Sequence, residues 1–156
     1  MFRASIPRSP YLTEEHHIVL FPGERVVFRF SLEGEQLAAP KFISAETLEP
    51  LPSPDAGAYD KVDKLSNQPP GTLMLTYQPA AGARGMVLLI EHNLPQPLKM
   101  KAFVNRMTPD GWKLSYTSTC RIPPNLAEME TWGEPLGLII LEDFRLLSNT
   151  DAMSCE

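Results

Sequence analysis

The stretch LKMKAFVNRMTPDGWKLSYTST, residues 98–119, decides the fold. Its first arm alternates, with Leu98, Met100, Ala102 and Val104 on one side and Lys99 and Lys101 on the other. That is the period of a strand with one dry and one wet face. The second arm repeats it: Trp112, Leu114 and Tyr116 oppose Lys113, Ser115 and Thr117. Between the arms, Thr108-Pro109-Asp110-Gly111 has the chemistry of a type I turn followed by a left-handed glycine, a three-residue hairpin loop with a G1 bulge. That loop predicts pairs of Thr108 with Trp112, Val104 with Tyr116, Ala102 with Ser118 and Met100 with Cys120. The apolar residues of both arms then share one face, and Trp112 turns inward. A two-residue loop would move the register by one and set Val104 against Ser115 or Thr117, mixing the faces.

The same alternation recurs on either side. In residues 25–32, Val26, Phe28, Phe30 and Leu32 oppose Arg29 and Ser31; in 72–78, Leu73, Leu75 and Tyr77 oppose Thr72, Thr76 and Gln78. Residues 86–90 and 136–141 are apolar on both faces and read as central strands. Weaker strand patterns cover 18–21 and 42–48, giving about eight strands without an internal repeat. Nine of the 16 prolines cluster, at Pro50, Pro52 and Pro54, at Pro69 and Pro70, at Pro95 and Pro97, and at Pro123 and Pro124. Proline lacks a backbone donor, so these clusters mark connections.

Three connections carry further expectations. Phe21-Pro22-Gly23-Glu24 suits a type II turn, which splays paired strands and so carries the chain between sheets. Residues 49–71 form a long connection, of a length that often serves function. Asn125 with Glu128 resembles a capping box and predicts one short helix over 125–132, with Leu126, Met129 and Trp132 facing inward and Gly133 and Pro135 ending it. Glu142-Asp143, directly after an apolar run, predicts a bulge or the strand's exit from the core.

Together these features predict a single all-β domain over 1–156, an antiparallel two-sheet β-sandwich of Greek-key type, with 1–12 and 148–156 loosely ordered. Residues 86–119 run strand, corner at 93–97, strand, hairpin, strand, which resembles an immunoglobulin-like arrangement. The resemblance spans that third of the chain, lacks the Cys-Trp-Cys framework, and implies a fold without a function.

Composition removes several function classes. The net charge of −5, from 14 basic and 19 acidic residues without a basic stripe, argues against nucleic-acid binding. No run approaches the roughly 20 apolar residues of a membrane span. The first ten residues lack the apolar segment of a signal peptide, so the expected location is cytoplasmic for a complete chain, and periplasmic or extracellular if a signal has been trimmed. Cys120 and Cys155 are read as free thiols, because Cys155 is the penultimate residue and chain ends fray. Cys120, turned inward beside Met100, reads as an inert thiol rather than a nucleophile. There is no Gly-x-Ser-x-Gly elbow and no phosphate loop; Gly82-Ala83-Arg84-Gly85 joins two strands, so no cofactor is expected.

Three sets of residues remain to be weighed. His16, His17 and His92 are possible metal ligands, although adjacent strand residues such as His16 and His17 point to opposite faces. Glu128, Glu130, Glu134, Glu142 and Asp143 crowd the last third; a glycosidase would need two of them to converge in a cleft, which spacing does not show, and they are read as a solvated acidic face. Tyr59, Trp132 and Trp112 are candidate anchors for a protein or carbohydrate partner, with core filling as the alternative for both tryptophans. The expected function is a non-enzymatic binding or interaction module that presents loops or a strand edge. The alternative is a β-sandwich hydrolase or metalloenzyme using His16, His17 or His92 with nearby carboxylates.

Overall fold

The computed structural model describes residues 9–50, 65, 67–80, 85–148 and 155, and each stretch that alternates in sequence contains a strand there, although 25–32 breaks after Arg29 and leaves Leu32, expected inward, exposed. In chain order the strands are β1 (Ile18–Leu20), β2 (Glu24–Arg29), β3 (Leu32–Glu33), β4 (Gln36–Leu37), β5 (Lys41–Thr47), β6 (Thr72–Pro79), β7 (Met86–His92), β8 (Leu98–Thr108), β9 (Gly111–Thr117), β10 (Glu128–Trp132) and β11 (Leu136–Leu146). Sheet A has the order β1-β11-β8-β9 and sheet B the order β10-β7-β6-β2-β5; β3 and β4 form a small separate hairpin. All pairings are antiparallel, and the two large sheets pack face to face as a β-sandwich.

The core draws on the inward residues that alternation marks in β2, β6 and β8, joined by apolar residues of β1, β7 and β11. Ile18, Leu141 and Ala102 form one row across sheet A, and Leu20, Ile139 and Val104 the next. Sheet B answers with Val26, Leu75 and Ile90, and with Phe28 and Leu73; all of these are buried. Each such side chain contributes about 1.5–3 kcal/mol by leaving water. The Tyr77 hydroxyl crosses between the sheets and donates to the Gly137 carbonyl at 2.7 Å, and burial pushes its pKa upward. Phe30 and Phe144 close one end, with ring centroids 5.2 Å apart. The Pro22-Gly23 turn does carry the chain from sheet A to sheet B, and Gly23 takes the left-handed φ of 86° that a type II turn requires.

The hairpin register differs from the expectation by one residue. Thr108 pairs with Gly111, Met107 with Trp112, Val104 with Ser115 and Ala102 with Thr117, so Pro109 and Asp110 alone form the loop. The Thr108 hydroxyl donates to the Gly111 carbonyl at 2.7 Å and accepts the Asp110 N–H at 3.3 Å, which fixes Thr108 and Gly111 as facing partners. Gly111, with φ of 107°, is therefore the first residue of β9. A shift of one residue turns every side chain of the strand over. Trp112, Leu114 and Tyr116 consequently lie on the outer face of sheet A.

The helix expected over 125–132 is not formed; residues 128–132 are β10, paired with β7. Asn125 has a left-handed φ of 61°, unlike the extended backbone of a helix cap, and its N–H goes to the His92 carbonyl at 2.8 Å. Pairing along the β7 edge outweighs the local capping pattern. The expected free thiols are likewise overturned: Cys120 and Cys155 form a disulfide, and the two residues also form a β-bridge, so Cys155 is tied down near the chain end. Tyr11 and Leu12 are packed as well, Tyr11 stacking on Phe42 at 5.1 Å and Leu12 bridging to Ile18.

The outer face of sheet B is not wet. Thr72, Thr76, Gln78, Arg25 and Glu91 are buried there, and Asn67 and Gln68 of the connection from β5 to β6 line a hollow over Arg25, Val27 and Met74.

Candidate functional site

The outer face of sheet A leaves a contiguous apolar surface to solvent. Across β11, β8 and β9 it runs from Ile140 through Phe103 to Tyr116. Leu114 is 47% exposed, Tyr116 51% and Met107 42%. The Phe103 and Tyr116 rings meet edge to face at 5.8 Å, the geometry that aromatic quadrupoles favour. Trp112 reaches across β8 to Gly137 on β11. A Cβ there would lie 3.2 Å from the Trp112 ring and 3.1 Å from the Asn105 Cβ, so glycine permits the close seat. Lys101, on this side of β8, pairs with Asp143 at 3.5 Å, and Arg106, on the opposite side, pairs with Glu134.

Of the aromatic candidates, Trp112 therefore belongs to this face. Trp132 packs against the core, and its indole N–H donates to the Thr117 hydroxyl at 3.2 Å, joining the β10 edge of sheet B to the β9 edge of sheet A. Tyr59 lies outside the described residues. Leu114 and Tyr116 are missed from sequence because the three-residue loop assigns the β9 residues to the core, and Phe103 and Met107 because Lys99 and Lys101 mark their side of β8 as wet. The signal that would have found Leu114 and Tyr116 is Thr108, whose hydroxyl can close a two-residue loop.

The histidines fall in two places. His16 has a left-handed φ of 65°, and the His17 Nε2 lies 3.2 Å from Glu142 Oε2. Both histidines line a hollow with Asp143, whose φ is 56°, at the bulge that sequence anticipated in β11. His92 is buried in sheet B. Its Nδ1 accepts the Leu94 N–H at 3.1 Å, so Nε2 carries the proton and donates to the Ile122 carbonyl at 2.6 Å. Burial lowers its pKa, and the bond to Ile122 opposes that shift.

Among the described residues, the metal-capable cluster is Cys120, Glu128 and Glu130, whose ligand atoms lie within 4.8 Å of one another. Cys120 is committed to its disulfide. Burial raises the Glu130 carboxyl, countered in part by the backbone of Cys120 and by Lys99. Arg25 is also engaged by its own chain, donating to Thr76 at 3.1 Å and to Glu46 at 2.8 Å. Burial raises Glu91 beside it, and Arg25 lowers it less strongly. An apolar hollow of about 450 Å³ opens at one end between Phe30, Leu32, Pro70 and Leu94. The side chain of Asn93 beside it bonds the Thr72 N–H and the carbonyls of Pro69 and Gln68.

Fold and face together define an antiparallel β-sandwich with an aromatic outer face on one sheet. No family model, no curated protein and no solved structure matches the chain. No helix among the described residues is long and apolar enough to cross a membrane.

Proposed function

We propose that the chain is a non-enzymatic interaction module that binds a protein partner through the outer face and free edge of β9. The partner contributes an extended segment of apolar, weakly charged residues. The observation that carries this reading is the pairing of Val104 with Ser115, which turns Trp112, Leu114 and Tyr116 outward beside Phe103 and Met107. Contiguous exposed apolar surface marks interaction sites, and aromatic side chains dominate their energetics. A strand edge adds main-chain hydrogen bonds to such contacts.

The test is site-specific photo-crosslinking of the full chain in native extract. A photoreactive residue in place of Leu114 or Tyr116 is expected to yield an adduct with a protein segment of alternating apolar residues, identified by mass spectrometry. The same group in place of Ile43 on β5 is expected to yield none. Absence of adducts at both β9 positions overturns the proposal.

We also propose an oxidising compartment, periplasmic or extracellular, on the strength of the Cys120–Cys155 disulfide. Thiol trapping on protein taken directly from cells tests it, and a reduced pair would count against it. The immunoglobulin-like reading of residues 86–119 is carried as part of the proposal; β7 in one sheet followed by the β8–β9 hairpin in the other supports it.

A further inference from the structure

Three of the sheet edges carry a feature that hinders a further strand. β1 is three residues long, and its Val19 N–H is already given to the Tyr11 carbonyl at 2.8 Å. β5 is interrupted by a register shift that leaves Ile43 outside the ladder. β10 places Glu128 and Glu130 opposite the core residues Ile90 and Leu88, so both charges point inward. Short strands, bulges and inward charges are the devices that keep sheet edges from pairing. β9 is neither short nor bulged, and its one charge on the inner side, Lys113, is exposed beside the turn. Its seven residues hold an unbroken register with β8 and include no proline and no acidic residue. Among the described residues no strand lies on its other side.

The loop identifies which backbone groups are free. A two-residue hairpin closes on a hydrogen-bonded pair, here Thr108 with Gly111, and hydrogen-bonded and non-hydrogen-bonded pairs alternate beyond it. Lys113, Ser115 and Thr117 therefore exchange bonds with β8. Trp112, Leu114 and Tyr116 aim N–H and C=O away from the sheet.

We propose that β9 pairs with β9 of a second copy of this chain, antiparallel about a two-fold axis at Leu114. This rests on the interaction reading above and names its partner. In that register Leu114 faces Leu114 of the second copy, and Trp112 faces Tyr116 of the second copy. Every outward N–H and C=O of the three residues then finds a partner, and the two aromatic stripes merge on one side of a continuous sheet. Charge is compatible: Lys113 faces Ser115, so no like charges meet, and the acidic excess of the chain is borne outside β9. An axis at Lys113 would instead oppose two cations. The contact is isologous and closes as a dimer.

Sedimentation equilibrium of the full, disulfide-intact chain tests this. The expected mass is twice the 17.4 kDa of one chain, falling towards one chain on dilution. Leu114→Pro removes only an outward N–H and leaves the β8 ladder whole, so it is expected to give the single-chain mass with an unchanged circular dichroism spectrum. Leu114→Lys sets two cations on the axis and is expected to give the single-chain mass even if the proline variant fails to fold. A wild-type chain that stays single at its highest soluble concentration, or a dimer that survives the folded Leu114 variants, overturns self-pairing. Isolated protein that is monomeric yet crosslinks through position 114 in extract overturns self-pairing alone. No adduct at positions 114 and 116 in either setting overturns the interaction face as well.

Discussion

Val104 stands opposite Ser115 across the β8–β9 ladder, and this pairing decides which side of β9 meets water. At dilutions where the chain is single, Leu114→Ala is expected to cost no more than about 0.5 kcal/mol, as surface substitutions do. Leu75→Ala, at a fully buried position, is expected to cost about 2–5 kcal/mol through lost burial and a cavity. Urea unfolding of the two variants checks the difference, and equal costs would mean that Leu114 faces the core.

Gly137 is the seat of Trp112. An added Cβ would press on the indole at 3.2 Å and on Asn105 at 3.1 Å. Gly137→Ala is expected to destabilise by about 1–3 kcal/mol, as overpacking does. In a Trp132→Phe background, where Trp112 is the remaining tryptophan, its emission is expected to shift. Unchanged emission and stability would separate the two residues.

His92 gives stability an acid limit. Burial lowers its pKa in the folded chain below the ordinary value of about 6.5, so the unfolded chain binds more protons below that pH. Its contribution is full above about pH 6.5 and is lost as pH falls through the folded pKa. Urea midpoints are expected to drop from about pH 7.5 to about pH 5, and less steeply in His92→Gln, which cannot titrate. Parallel slopes in the two proteins would assign the acid sensitivity elsewhere.

Glu130 acts with the opposite sign. Burial raises its carboxyl, so its contribution is full below the unfolded value of about 4.3 and is lost as pH rises through the folded pKa. Its Oε1 is buried without a hydrogen bond. Glu130→Gln is therefore expected to hold or raise the melting temperature at neutral pH, and a marked fall would show that the charged form is needed.

The Cys120–Cys155 bond closes a loop across a separation of 35 residues. Its reduction is expected to cost about 2–4 kcal/mol, chiefly by freeing the unfolded chain. Unfolding with and without dithiothreitol measures it, and coincident curves would show that the link adds nothing.

The strands were legible in the sequence because alternation is a local property. Val26 to Phe30, Leu73 to Tyr77 and Met100 to Val104 each name their buried face in a few residues. The Pro22-Gly23 crossing and the bulge after Glu142 were equally local. Tertiary structure alone decided the rest. Residues 128–132 have a helix-like cap but pair with β7, because a ladder along that edge satisfies more backbone groups than one helical turn. Cys155 is tied to Cys120 by a contact that sequence spacing does not reveal. β9 kept its predicted alternation, yet its dry face became the exposed one, because alternation marks two faces without saying which is covered. That choice belongs to the register, set here by the bonds between Thr108 and Gly111.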